Sequence, residues 1–273
     1  MTRAAFYVSD GTGITAETLG HSLLSQFSDI AFEQFTLPYI QSDDDTHEAV
    51  AQINRTAAER DQTPIVFSTL VDESHRAILS KCHGLVLDMF AAFLNPLEQE
   101  LGVRSSHTVG QSHAIRDAEA YRIRIGAVHF ALDNDDGART RYYDQADVIL
   151  TGVSRSGKTP TSLYLALQFG LYAANYPLTE DDFDDLELPD ILREQRHKLF
   201  GLTIDADRLA ATRSERKANS RYASPRQCDM EIRALEAIYN RYRIPYLNVT
   251  ELSIEEISTR VLAKTGLQRR LQG

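Results

Sequence analysis

The hydrophobic positions of the chain fall into two successive series of short apolar runs, separated by stretches with helical periodicity. The first series predicts three strands and three helices in alternation, with strands over residues 5–9, 32–37 and 65–70 and helices over residues 14–27, 46–60 and 72–81. The acidic run 43–45 is predicted to cap the second helix. Such alternation is typical of a parallel sheet with helical crossovers. Residues 85–101 are predicted to be helical or mixed, and residues 118–132 form a further helical pattern.

The first predicted helix carries its large apolar residues on one side. Ile14, Leu19, Leu23, Leu24 and Phe27 recur at the spacing of a helical face. A turn of sequence Asp-Gly-Thr-Gly, residues 10–13, precedes this helix. A glycine turn between a strand and a helix can bind an anion, but any strand–helix unit needs such a turn, and both interpretations stay open.

The second series predicts strands over residues 147–151, 199–205 and 245–250 and helices over residues 161–169, 230–242 and from 254 onward. The last helix begins with a capping box formed by Ser253 and Glu256. Residues 179–190 are strongly acidic and are predicted to be a solvated loop. We place a domain boundary near residue 140. Residues 1–140 form an N-terminal parallel βαβ-type domain, regulatory or substrate-binding, and residues 141–273 form a phosphate-loop, kinase-like α/β domain.

The strongest chemical signal is the phosphate-loop pattern at the start of the second domain. The pattern G-x-x-x-x-G-K-[ST] is matched by eight consecutive residues, which are Gly152, Val153, Ser154, Arg155, Ser156, Gly157, Lys158 and Thr159. Glycines let the backbone turn its N–H groups toward phosphates, Lys158 supplies a positive charge, and Thr159 offers a hydroxyl to Mg²⁺. An apolar strand precedes the pattern and a helix follows it, which is the context that nucleotide binding requires.

Two further features surround this pattern. The strand over residues 199–205 ends in Asp205, which suits the carboxylate that orders Mg²⁺ in phosphate-loop enzymes, although capping of the next helix explains it equally well. A basic segment follows, and at least one of its cations is expected to contact phosphate or substrate; it contains Arg208, Arg213, Arg216, Lys217, Arg221 and Arg226.

Composition and charge limit the classes of binding partner and the cellular compartment that we expect for this protein. The chain has 273 residues, of which 42% are hydrophobic, and a formal net charge of −10. This negative charge disfavours general binding to nucleic acid or anionic membranes. Its two cysteines, Cys82 and Cys228, form no disulfide or zinc pattern, and no signal peptide or membrane-spanning run is present. We therefore expect a cytoplasmic protein without nucleic-acid or membrane partners.

Longer stretches of the sequence resemble a known family. The segments that carry the resemblance are residues 6–13, 135–137, 146–150, 152–164, 197–211 and 219–228. Together they are similar, in order and across essentially the whole chain, to the pyruvate, water dikinase regulatory protein family. Within them, GVSRSGKTPTSLY and HKLFGLTIDADRLAA are far more specific than the phosphate-loop pattern alone.

The resemblance implies a bifunctional enzyme. Members of the family are serine/threonine kinases that use ADP to phosphorylate a threonine of phosphoenolpyruvate synthase, which inactivates it. They also act as phosphorylases that remove this phosphate with inorganic phosphate and release pyrophosphate. A related branch acts on pyruvate, phosphate dikinase. The implied nucleotide site is Gly152–Thr159. From the residues themselves, we expect Lys158 and Asp205 as catalytic groups and Thr159 as the Mg²⁺ ligand. Asp10 and Asp135 are candidates for the base.

Two alternatives are compatible with the residues themselves. One is a small-molecule kinase with a phosphate loop and an arginine-bearing lid. The other is a nucleotide-dependent switch that transfers no phosphate. The long N-terminal α/β region favours a protein substrate or a regulatory domain. The sequence leaves the oligomeric state open, with a homo-oligomer among the alternatives.

Overall fold

The computed structural model describes residues 2–106, 118–183, 185–218 and 220–271, and the chain divides into two compact units, Met1–Ala114 and Ile115–Gly273. Each unit contains a four-stranded sheet in which all neighbouring strands run parallel. The predicted α/β class, with two successive parallel-sheet parts, is therefore confirmed. The boundary predicted near residue 140 falls inside the second unit, because residues 118–133 pack there against the helix that follows the glycine loop. The roles assigned to the two domains stay predictions.

The first unit alternates strands and helices from its start. Its elements are β1 (Thr2–Val8), α1 (Ile14–Leu24), β2 (Ala31–Leu37), α2 (Asp43–Arg60), β3 (Ile65–Ser68), α3 (Glu73–Leu79), β4 (Leu85–Asp88) and α4 (Met89–Leu101). The strand order is β2-β1-β3-β4. Phe6 and Val66 lie in the core on one face of this sheet, and Tyr7 and Phe67 lie in the core on the other. Residues 85–101, predicted as helical or mixed, thus divide into a strand and a helix.

Helix α1 buries only part of the apolar face that its sequence predicts, because Leu24 lies in the core and Leu19 packs against it, whereas Leu23 is exposed. Ile14 and Phe27 are 54% and 57% exposed, whereas the buried residues of the helix are Ala16, Gly20 and Leu24. The reason is the close approach of the helix to the sheet. A Cβ placed on Gly20 would lie 2.5 Å from the ring of Tyr7 and 2.8 Å from that of Phe67. Small residues therefore decide which side of α1 faces the core.

The second unit is built on the same plan with more helices. Its elements are α5 (Ala118–Asp133), β5 (Val148–Gly152), α6 (Lys158–Phe169), β6 (Ala173–Pro177), α7 (Glu180–Phe183), α8 (Asp190–Glu194), β7 (Leu199–Thr203), α9 (Ala206–Arg216), α10 (Pro225–Tyr242), β8 (Tyr246–Asn248) and α11 (Ile254–Thr265). The strand order is β6-β5-β7-β8. The predicted capping box of α11 is present. Strand β6 was not predicted, and the acidic segment 179–190 contains α7 in place of a continuous loop.

Both sheets share the order second–first–third–fourth strand, which fixes where ligands can bind. In open parallel sheets, ligands occupy the crevice at the carboxyl ends of the strands, where the chain turns in opposite directions on either side. This point lies beside the first strand of each sheet, β1 and β5. The loops after these two strands are the glycine turn of the first unit and the phosphate-loop pattern of the second.

Across the described residues, no helix combines the length and the apolar character needed to cross a membrane. Cys82 and Cys228 are both buried and carry free thiols.

Gly20→Ala tests the close packing of α1. An alanine in a helix interior normally stabilises a protein by about 0.5–1 kcal/mol relative to glycine, but a methyl group forced against two aromatic rings costs about 1–3 kcal/mol. We therefore expect Gly20→Ala to lower the free energy of unfolding, measured by urea denaturation. The matched control is Gly126→Ala in α5, where the nearest atom is the Tyr172 hydroxyl at 3.3 Å. Equal or greater stability of Gly20→Ala than of the control would contradict this packing.

Candidate functional site

The loop after β5 has the backbone form that the sequence pattern predicts. Strand β5 is buried along its whole length and ends at Gly152, and α6 begins at Lys158. Between them, Arg155 and Gly157 adopt left-handed conformations, with φ of 78° and 83°. A left-handed non-glycine residue is uncommon and is concentrated at functional sites. The predicted order of strand, loop and helix is confirmed.

The two glycines of the pattern are required for different structural reasons. A Cβ on Gly152 would lie 2.6 Å from the carbonyl oxygen of Leu202 and 2.7 Å from Oγ of Ser156. Gly152 therefore allows β5 to pass close to β7. Gly157 has no atom within 4 Å of such a Cβ, but its positive φ disfavours any side chain. One glycine serves packing and the other serves conformation.

Lys158 is a buried cation. Its side chain is only 4% exposed, and Nζ donates a hydrogen bond to the carbonyl oxygen of Val153 at 2.9 Å. Burial lowers the pKa of Lys158 to about 8, although the nearby carboxylates of Asp136 and Asp135 act in the opposite direction. Arg213 adds to the lowering. A phosphate bound beside this ammonium would raise the pKa of Lys158 again, because an adjacent anion favours the protonated form.

Thr159 is held by a network that the sequence did not reveal. Its Oγ1 donates a hydrogen bond to Oδ1 of Asp135 at 2.8 Å, and Nδ2 of Asn175 on β6 donates to the same oxygen at 2.6 Å. Hydroxyl and carboxylate oxygens are the ligands that Mg²⁺ prefers in proteins, so this donor set fits that ion. A resemblance of residues 135–137 to the family was the one sequence signal that pointed to this turn.

A cavity of about 220 Å³ opens at the start of α6. It is lined by Lys158 and Thr159 from the loop, by Asp136 from the turn before β5, and by Arg216 from the last turn of α9. Cations on two sides of a small polar cavity suit a phosphate chain. A second cavity, of about 320 Å³, contains Glu180 and Tyr222 in its lining and shares Ser154 with the first.

The arginines of the basic segment take different roles. Arg216 lines the first cavity, whereas Arg213 is 1% exposed and forms a salt bridge with Glu231 at 2.7 Å. Arg213 also donates to the carbonyl oxygen of Ser154, and the hydroxyl of Tyr222 donates to Oγ of Ser154. Burial opposes the charge of Arg213, but the hydrogen bonds and charge of Glu231 outweigh it and raise the pKa of Arg213. Arg213 therefore holds the backbone of the loop in place through the carbonyl oxygen of Ser154.

Asp205 lies at the end of β7 but points toward the neighbouring strand β8. It occupies the position before the first turn of α9, yet its carboxylate makes no capping hydrogen bond there. Instead, Oδ1 accepts a hydrogen bond from Nδ2 of Asn248 at 2.8 Å. Asp205 does not belong to the described lining of either cavity. Its metal-ordering role stays a prediction.

The glycine turn of the first unit is explained by local hydrogen bonds. Asp10 is buried, and its Oδ2 accepts the backbone N–H of Val71 at 2.8 Å. Burial raises the pKa of Asp10 against the opposing effect of this hydrogen bond. Gly11 donates its N–H to Oγ of Ser9. A carboxylate at this position repels anions when it is ionised, so the arrangement favours the turn interpretation over phosphate binding.

Gly152→Ala and Gly157→Ala separate the two glycine roles. We expect Gly152→Ala to lower the unfolding temperature the more strongly, because its methyl group meets a backbone carbonyl that cannot move without separating β5 from β7. Gly157→Ala is expected to cost only the left-handed conformation, about 1–2 kcal/mol. Thermal unfolding by circular dichroism measures both. An unfolding temperature for Gly157→Ala at or below that of Gly152→Ala would contradict the assignment.

Comparison with known proteins places the chain in a family. A model of the family described as Kinase/pyrophosphorylase matches residues 5–262. A protein of Alcanivorax borkumensis is 76% identical over 272 residues and covers 100% of both chains. A protein of Acinetobacter baumannii is 60% identical over 269 residues, covering 98% of this chain and 97% of its own. A protein of Pseudomonas savastanoi pv. phaseolicola is 57% identical over 272 residues, covering 100% of both. All three carry the name "Putative phosphoenolpyruvate synthase regulatory protein". The match runs through the loop, the turn before β5 and both cavities, and the chain belongs to the kinase/pyrophosphorylase family.

Proposed function

We propose that the protein regulates phosphoenolpyruvate synthase as an ADP-dependent serine/threonine kinase and a phosphate-dependent phosphorylase. The observation that carries the proposal is the cavity at the start of α6, where Lys158, Thr159 and Arg216 meet, in a chain of the kinase/pyrophosphorylase family. The names of the relatives point to the synthase as the target. The nucleotide binds along residues 152–159.

In the kinase direction, the target threonine oxygen attacks the β-phosphorus of ADP. The bond from this phosphorus to the bridging oxygen breaks, AMP leaves, and the threonine proton passes to a base. Lys158 neutralises the charge that develops on the phosphate oxygens, and Arg216 contributes a second cation from the cavity edge. Thr159 would hold a Mg²⁺ ion through its hydroxyl, and this ion would supply positive charge that neutralises the phosphates. The low exposure of Lys158 strengthens its effect, because charges interact more strongly away from water.

In the phosphorylase direction, inorganic phosphate replaces AMP as the partner of the transferring group. Its oxygen attacks the phosphorus of phosphothreonine, pyrophosphate forms, and the threonine oxygen takes up a proton as it leaves. Both directions move a phosphoryl group between a threonine oxygen and a phosphate oxygen. Inorganic phosphate therefore occupies the position that the α-phosphate of ADP holds in the kinase reaction, and one loop serves both reactions.

Phosphotransfer with purified phosphoenolpyruvate synthase tests the proposal directly. Labelled ADP, and not ATP, should yield phosphothreonine on the synthase, and inorganic phosphate should then remove the label as pyrophosphate. Lys158→Ala should reduce both rates by about a hundredfold or more, because one preorganised cation is lost from a single site. The matched control is Lys264→Ala on α11, whose Nζ lies near the carbonyl oxygen of Tyr246.

Each other result of this assay selects a different function. Retention of one activity in Lys158→Ala would show two separate sites. Transfer from a nucleotide to a small acceptor, with none to the synthase, would establish the small-molecule kinase. Nucleotide binding with slow hydrolysis and no phosphorylated product would establish the switch.

The lowered pKa of Lys158 predicts the pH dependence of nucleotide binding. Binding requires the charged ammonium, and in the free protein this charge is lost as the pH rises through about 8. Nucleotide phosphates are already ionised there, since phosphate pKa values lie near about 6. ADP affinity should therefore fall above about pH 8, by at most about tenfold per pH unit. Calorimetry in buffers of different ionisation enthalpy should detect proton uptake on binding.

Lys158→Arg is the control for this pH dependence, because a guanidinium stays protonated over the whole range. The ADP affinity of Lys158→Arg should not change between about pH 7.5 and 9.5, whatever its absolute value. This range includes the pKa of Lys158. A wild-type affinity that is flat over this range, or an equal slope in Lys158→Arg, would contradict the assignment.

A further inference from the structure

The turn before β5 is held in a strained conformation by the sheet. Residues Asp135–Gly137 form a single 3₁₀ turn in which Asp136 and Gly137 have φ of 47° and 72°. Asn175, fully buried on β6, accepts the backbone N–H of Asp136 at 3.0 Å and donates to Asp135. The hydroxyl of Tyr143 donates to the carbonyl oxygen of Asn175. Strained turns persist where the surrounding structure fixes them, and they are concentrated at functional sites.

The hydrogen bonds of Asp135 determine the orientation of Thr159. A threonine hydroxyl has one proton and two lone pairs. Its proton is directed to Oδ1 of Asp135, so its lone pairs face away from that carboxylate. A hydroxyl that binds a cation does so through a lone pair, and it must place its proton elsewhere. Asp135 accepts this proton's hydrogen bond and leaves the oxygen of Thr159 ready for a cation.

The second oxygen of Asp135 remains available. Both hydrogen bonds to this carboxylate from described residues end on Oδ1, one from Thr159 and one from Asn175, and none ends on Oδ2. The negative charge lies near the phosphate cavity, because Asp135 and Asp136 both act on the pKa of Lys158. Asp205, by contrast, is exposed and engaged with Asn248 on β8.

We propose that Asp135, rather than Asp205, is the carboxylate that prepares the phosphate loop for its divalent cation. Oδ1 positions the hydroxyl of Thr159, and Oδ2 would accept hydrogen bonds from water molecules that Mg²⁺ retains when it binds phosphates. Asp135 thus supplies from the segment before β5 what phosphate-loop enzymes commonly supply from a later strand. The inference deepens the proposed function and rests on it, since the cation accompanies the nucleotide.

Binding of Mn²⁺, used in place of Mg²⁺, tests the inference without activity. The affinity of the ADP-bound protein for Mn²⁺ is measured by electron paramagnetic resonance for the wild type, Asp135→Asn and Asp205→Asn. Asparagine keeps an oxygen that accepts both hydrogen bonds but removes the charge. Asp135→Asn should weaken Mn²⁺ binding by about 10- to 100-fold, the usual effect of losing a group that orients a metal ligand. Asp205→Asn should leave it within about twofold.

Two measurements separate this role from a structural one and from failure of the proposed function. The unfolding temperature should be nearly unchanged in Asp135→Asn. Its ADP affinity in EDTA should not fall at about pH 6.5, well below the Lys158 pKa of about 8, where the ammonium keeps its charge in both proteins. An unaltered Mn²⁺ affinity in Asp135→Asn, or an equal loss in Asp205→Asn, would overturn the inference. Absence of ADP binding by the wild type in EDTA and in Mg²⁺ would instead overturn the proposed function.

A wild-type experiment keeps the inference testable if Asp135→Asn does not fold. Fe²⁺ is bound with pyrophosphate in place of Mg²⁺, and hydrogen peroxide and ascorbate are added. The peroxide oxidises Fe²⁺ to Fe³⁺ and is reduced to hydroxyl radical, which cleaves the backbone beside the iron ligands, and ascorbate reduces the iron again. Cleavage is expected at residues 135–137 and 158–159, and Mg²⁺ should suppress it. Cleavage near residue 205, with none at the turn before β5, would assign the cation to Asp205.

Discussion

A lysine ammonium that is kept away from water is the constraint on which the second unit depends. An isolated buried charge is strongly unfavourable, and such a group tends to lose its proton instead. Here, Lys158 has one backbone carbonyl, that of Val153, and two nearby carboxylates on the turn before β5. These partners offset part of the desolvation, and a bound phosphate would offset the rest. The lowered pKa of Lys158 reflects the part of this desolvation that the protein itself leaves uncompensated.

The second buried cation, Arg213, differs from Lys158 because a carboxylate, that of Glu231, forms a salt bridge with it. This pairing explains the role of Arg213. Glu231 faces it with two hydrogen bonds, and the ring of Tyr222 lies 4.1 Å from its guanidinium carbon. A buried ion pair of this kind contributes little net stability, but removal of one partner leaves an uncompensated charge. Because Arg213 is already paired, it does not compete with Lys158 for phosphate. It holds the carbonyl oxygen of Ser154 in place, so the loop keeps its form between the two cavities.

The sequence predicted the parts of this structure that depend on local signals. The strand, loop and helix around residues 148–169 follow from an apolar run, two glycines and a helical pattern. Strand β6 has the sequence Ala-Ala-Asn-Tyr-Pro, which lacks the β-branched residues that mark strands, and it forms because β5 offers it a buried edge. The buried side of α1 could not be predicted from the helix sequence either. Gly20 faces the sheet because the rings of Tyr7 and Phe67, on two strands, leave no room there for a larger side chain. The partner of Thr159 is 24 residues away and is held by β6, so no motif contains it.

The two units show how far a shared topology determines chemistry. Both place a glycine turn after the first strand of a sheet with the same order, at the point where parallel sheets bind ligands. In the second unit the turn leads into a lysine and a threonine, and a cavity with cations opens there. In the first unit the helix after the turn begins with Ile14, and the turn itself carries the buried carboxylate of Asp10, which accepts the backbone N–H of Val71. One backbone arrangement thus presents a cation in one case and a carboxylate in the other. Phosphoryl chemistry in this chain therefore depends on the residues placed at the crevice, because the fold alone supplies the position and not the charge.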